Sequence, residues 1–74
     1  MFTIKVVSSS TGKPVSGKRV RVGFEGFTRG MTNEGFTDSN GEIHFNNDPG
    51  KGKVYIDHKT VFDGRIEGRV VVYV

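Results

Sequence analysis

Gly12-Lys13-Pro14-Val15-Ser16-Gly17-Lys18 has the glycine and lysine spacing of a phosphate-binding loop. That chemistry also needs a Ser or Thr after the lysine to hold magnesium, and a helix whose N-terminal amides face the phosphates. Arg19 follows instead, and Val20 and Val22 continue with the period of a strand. Asp38-Ser39-Asn40-Gly41-Glu42 offers alternating oxygens in the manner of a calcium loop. An EF-hand places glycine sixth and glutamate twelfth; here glycine comes too early, and Phe45 and Pro49 occupy the sequence beyond. Asp38 is expected to cap a turn through its own backbone. His44 and His58 have no carboxylate at a spacing typical of metal sites, although Asp57 adjoins His58. In an extended segment those two neighbours point to opposite faces. Each histidine is expected at the surface, with His44 turned away from Ile43 and Phe45. The serines cluster in one turn-forming tract, and there is no cysteine, so neither a Ser-His-Asp arrangement nor thiol chemistry can be built. No catalytic residue, metal ligand set or cofactor is assigned.

Two groups of residues suit binding instead. Segment 23–36 carries four glycines and more apolar side chains than one core can take, namely Phe24, Phe27, Met31 and Phe36. Loops on rigid β scaffolds commonly carry binding, and Phe27 or Met31 beside Arg29 would make a small amphipathic contact site. The competing expectation is that these side chains roof one end of the core. The second group is basic: Lys18, Arg19 and Arg21, with Lys51 and Lys53 as a further pair. Net charge is +3, which permits weak attraction to phosphate without demanding a nucleic-acid partner.

Period-two alternation positions these groups. Phe2, Ile4 and Val6 share one face of a first strand; Val20, Val22 and Phe24 share one face of a second. Glu42-Ile43-His44-Phe45 and Lys53-Val54-Tyr55-Ile56-Asp57 repeat the pattern. Arg69-Val70-Val71-Val72-Tyr73-Val74 is apolar on both faces, which predicts a central strand or one covered by a partner. Ser8 to Pro14, Asn46 to Gly52 and Asp63-Gly64 read as turns or loops. Asp38-Ser39-Asn40-Gly41 lies between Gly35-Phe36-Thr37 and Glu42 to Phe45, and Asn-Gly makes it the strongest hairpin signal. Eleven glycines and many short strands predict one all-β domain over residues 1–74, a sandwich or small barrel with a thin core.

Gly12-x-Pro14-Val15-x-Gly17-x-x-Val20-x-Val22 resembles the opening of transthyretin-like domains, the family that includes carboxypeptidase regulatory-like modules. Thr37-Asp38-x-x-Gly41-x-Ile43-x-Phe45 resembles their next signature, and Gly52-Lys53-Val54-Tyr55-Ile56 the strand after it. The resemblance covers most of residues 3–57 in the family's order and implies a Greek-key sandwich of about seven strands, similar to an immunoglobulin fold. Its hydrolytic branch ends in Tyr-Arg-Gly-Ser, whereas this chain ends Val-Val-Tyr-Val. Related surface-protein domains join a lysine to an asparagine of the final strand. Lys5 matches that lysine's place, but residues 66–74 hold no asparagine. The resemblance therefore implies an accessory module without chemistry.

The expected function is a non-enzymatic interaction module that binds a protein or polysaccharide through segment 23–36 or a strand edge, with self-association through that edge. The alternative is a small barrel that binds single-stranded nucleic acid, with Lys18, Arg19, Arg21 and Lys53 on the backbone and Phe27, Tyr55 or Phe62 stacking on bases. The low net charge and the scatter of aromatics weigh against it. No apolar run approaches the roughly 20 residues that cross a bilayer, and Met1 leads directly into a strand pattern. A cytoplasmic chain is expected, or a surface or secreted one if the unit is cut from a larger protein.

Overall fold

The computed structural model describes residues 1–25, 32 and 34–74. Seven strands follow in chain order: β1 (Phe2–Val7), β2 (Arg19–Phe24), β3 (Gly35–Phe36), β4 (Glu42–Phe45), β5 (Gly50–Ile56), β6 (Lys59–Ile66) and β7 (Arg69–Tyr73). They form a three-stranded sheet ordered β4-β1-β7 and a four-stranded sheet ordered β3-β2-β5-β6. Every pairing is antiparallel except that of β1 with β7. The protein is an all-β sandwich, as the alternation predicts.

The core lies between the sheets. Phe2, Ile4 and Val6 of β1 meet Val20 and Val22 of β2, Val54 and Ile56 of β5, Ile66 of β6 and Val70 and Val72 of β7. The Phe2 ring stacks on Phe45 at 5.4 Å between centroids and takes Phe24 edge-on at 5.7 Å. Each such side chain contributes roughly 1.5–3 kcal/mol when fully buried. Val15 and Phe24 pack against this cluster from the margin.

The turn at Asp38 forms as predicted, but the strands on either side do not pair. The Asp38 carbonyl accepts from Gly41 N, and its Oδ1 accepts from Asn40 N at 2.8 Å and Glu42 N at 3.0 Å. These amides hold the Asp38 carboxyl below the usual aspartate range. β3 pairs with β2, and β4 pairs with β1 in the other sheet. Thr37 redirects the chain. Its buried Oγ1 donates to Val15 O at 2.7 Å and accepts from Lys18 N at 3.0 Å, which fixes the chain to the 15–18 segment. Gly41 then crosses against β1, where a Cβ would stand 2.6 Å from Val6 O.

The hairpin that does form joins β5 to β6 at Asp57-His58, with φ of 49° and 73°. A two-residue turn with both φ positive matches the twist of its flanking strands. Asp57 therefore lies in the turn and not in the strand where the alternation puts it, and the condition that the Asp57-His58 segment is extended is not met. Asp63-Gly64 is not a turn either. Both lie inside β6, with Gly64 opposite Gly52. Gly52 is itself required, because a side chain there would run into the Gly23 carbonyl. β7 is an edge and not a central strand, since among the described residues it pairs only with β1.

Candidate functional site

The outer face of the four-stranded sheet gathers the basic residues. Val20 and Val22 point into the core, so Arg19 and Arg21 point out from β2. Val54 and Ile56 are buried likewise, which turns Lys51, Lys53 and Tyr55 out from β5. Ile66 sets Arg65 and Asp63 on the same side of β6. The register then sets the rows. Arg19 faces Phe36, Arg21 faces Tyr55, Lys53 faces Asp63, and Lys51 faces Arg65. Five cations share this face with two rings and Asp63.

The charges are incompletely balanced. The Arg19 guanidinium lies over the Phe36 ring, 5.8 Å from its centroid, and its Nε is 4.0 Å from Glu34 Oε2. Arg65 Nε lies 3.2 Å from Glu67 Oε2. Exposed pairs of this kind contribute little. Lys51 and Lys53 have no ion-pair partner among the described residues. Lys51 stands directly across from a second cation, an arrangement that costs stability in an antiparallel pair. Among the described residues, Arg21 Nε is buried without a hydrogen-bond partner. A bound anion would relieve the Lys51–Arg65 repulsion.

Beside this face, at the β5–β6 turn, lies a cleft of about 270 Å³ lined by Lys18, Ile56, Asp57, Lys59, Val61 and Val74. Lys18 Nζ and Asp57 Oδ2 are joined there at 3.4 Å. On the other sheet, ligand atoms of Asp38, Glu42 and His44 lie within 4.8 Å of one another. The sequence spacing singles out no carboxylate for His44, and the fold brings two beside it. Glu42 and His44 are two apart on a strand and share a face, and the turn returns Asp38 to them. Each already has a partner: backbone amides for Asp38, Arg69 Nη2 at 3.0 Å for Glu42, and Thr3 Oγ1 at 2.7 Å for His44 Nδ1.

The residues expected to bind are distributed unevenly. Phe27, Arg29 and Met31 lie outside the described residues. Within segment 23–36, Phe24 packs on the core, Phe36 is 61% exposed, and Thr32 is buried with its Oγ1 accepting from Val22 N. Arg19, Arg21, Lys53 and Tyr55 converge on one face as the nucleic-acid alternative requires. Phe62 does not join them, because it pairs in register with Val54 and packs on the core. Lys18 lies before β2, in the cleft wall. Phe36, Lys51 and Arg65 were missed as members of the face. For Lys51 and Arg65 the signal is the odd–even parity along β5 and β6, hidden because Asn46 to Gly52 reads as a loop and Asp63-Gly64 as a turn. β5 in fact begins at Gly50, and β6 runs through both Asp63 and Gly64. Phe36 joins through the pairing of β3 with β2. Lys5 stands on the outer face of the three-stranded sheet, in register with Glu42. No family model matches the chain, and no curated protein or solved structure matches it.

Proposed function

We propose that this chain is a non-enzymatic interaction module whose ligand is an acidic polysaccharide laid across the outer face of the β3-β2-β5-β6 sheet. The observation that carries this reading is the row structure of that face. Among the described residues five cations stand on adjacent strands, with Lys51 opposite Arg65. Charges spaced along a sheet suit a ligand with carboxylates or sulfates along its length. The aromatics favour polysaccharide over single-stranded nucleic acid. Tyr55 is half-buried and one side of the exposed Phe36 ring is taken by Arg19, which leaves one open ring side on this face, where a run of stacked bases needs several. Membership of the transthyretin-like family is part of the same proposal. The ordered motifs between Gly12 and Ile56 support it, together with the count of seven strands in two sheets.

The test is titration with a sulfated polysaccharide, a neutral polysaccharide and a single-stranded oligonucleotide at low salt, repeated as salt rises. Binding of the sulfated chain that weakens steeply with salt is expected, with the oligonucleotide weaker. A stronger oligonucleotide complex would replace the ligand class, and no binding by any polyanion would end the reading.

A further inference from the structure

Among the described residues four strands leave an edge open: β3 and β6 in one sheet, β4 and β7 in the other. Natural sheets blunt such edges with shortness, charge, bulges or covering segments, because a bare edge recruits another chain. Three of the four are blunted here. β3 has two residues. β6 is broken by a register shift and carries Lys59, Asp63 and Arg65. β4 has four residues with Glu42 and His44 turned out, and beyond it Pro14 bridges Val7 alongside β1. β7 has neither bulge nor proline. It turns out Val71 at 42% exposure and Tyr73 at 62%, and Val74 follows at 40%. Of the five large apolar residues exposed among the described residues, three lie in these last four positions.

We infer that β7 is a dimerisation edge, and that its partner is β7 of a second copy of this chain, paired antiparallel about Val71. The backbone is set for it. Gly68 O accepts from Thr3 N, and Val74 N donates to Val7 O, so Gly68 and Val74 turn toward β1. By alternation Val70 and Val72 do the same, and the amides and carbonyls of Arg69, Val71 and Tyr73 face outward. A two-fold axis through Val71 pairs Val71 with itself and sets Arg69 opposite Tyr73 of the second copy. Up to about six hydrogen bonds then close between the chains. The side chains match the same axis. Valine meets valine at the centre, and at each end a tyrosine ring lies beside the aliphatic stem of Arg69, whose guanidinium stays on Glu42 at 3.0 Å. An isologous interface needs this self-complementarity; a one-residue slip would lose it. The edge is five residues long, so the dimer is weak, with a dissociation constant in roughly the micromolar range or above.

The experiment is light scattering on the chromatographed chain over a dilution series from micromolar to millimolar. The wild type should pass from monomer to dimer. Val71→Lys places two ammonium groups across the axis and should raise the dissociation constant by about tenfold or more, while the same change at exposed Thr60 on the β6 edge should not. A second readout does not depend on that variant's fold. The chain has no cysteine, so Val71→Cys with a short bis-maleimide should give cross-linked dimer, and Thr60→Cys should not. A wild type that stays monomeric at millimolar concentration overturns the inference. So does a dimer that Val71→Lys leaves intact, or equal cross-linking from both cysteines.

Discussion

Lys51→Glu should make the protein more stable and a worse binder at the same time. Lys51 and Arg65 are directly opposed across the β5–β6 ladder. Like charges so placed destabilise by roughly 0.2–1 kcal/mol, and opposite charges stabilise by a similar amount. Both side chains are exposed, and Arg65 already has Glu67 at 3.2 Å, so screening holds each half of the change near the lower end of that range. Removing the repulsion and adding an attraction then amounts to about 0.5–1 kcal/mol. For a domain of this size that is a rise in melting temperature of roughly 2–8 °C. Calorimetry at low salt measures it, and the gain should shrink as salt screens the pair. In the same buffer, binding of a sulfated polysaccharide should weaken, with its salt dependence reduced by about one unit of slope per lost contact. A lowered melting temperature would refute the argument that Lys51 and Arg65 repel. Unchanged binding in a stabilised variant would refute the assignment of this face.

Four further outcomes test the fold. Gly52→Ala should cost about 2 kcal/mol or more by denaturant titration, because the methyl meets the Gly23 carbonyl. Gly68→Ala has open space and only a positive φ of 61° to accommodate, so it should cost about 1 kcal/mol. Thr37→Val keeps the shape and deletes the hydroxyl, leaving the Val15 carbonyl and the Lys18 amide without it; a loss of about 1–3 kcal/mol is expected from chemical denaturation. Asp38 has a folded-state pKa below its unfolded value, so its contribution is present above the unfolded pKa and is lost as pH falls through the folded one. An NMR titration should place its midpoint below that of ordinary aspartate, and Asp38→Asn should flatten the acid limb of the stability profile.

The strands that carry the core were legible because one face is buried and the period of two is strict. Phe2, Ile4 and Val6, or Val54 and Ile56, need no tertiary information to be assigned. The pairing was less legible. Asn40-Gly41 forms its turn, but a turn signal says only that the chain reverses. Thr37 decides which sheet each arm joins, and its partners Val15 and Lys18 are remote in sequence. Asp63-Gly64 misled for the opposite reason. Its glycine sits inside β6 opposite Gly52 with a φ of 155°, while the real turn uses Asp57 and His58, a pair with a weaker preference for positive φ. Losing β6 meant losing the row that opposes Lys51 to Arg65. The basic residues were visible from the start, but their gathering on one face was not.

The binding face and the β7 edge bear on each other through symmetry. A two-fold axis perpendicular to the β4-β1-β7 sheet keeps each face of that sheet continuous across the axis. The second sheet of each copy packs on the same side of this joined sheet. The two basic faces therefore look the same way, side by side. With strands spaced about 4.8 Å apart, the centres of the two faces are separated by roughly 20 Å, which a short stretch of extended polymer spans. One chain bound at both faces gains effective concentration without a new contact. The consequence separates the two proposals. Val71→Lys should weaken binding of a long sulfated chain by about tenfold or more and leave binding of a short fragment unchanged. Lys51→Glu should weaken both. If Val71→Lys lowers affinity for the short fragment too, the edge and the face are not independent, and the edge itself contacts the polymer.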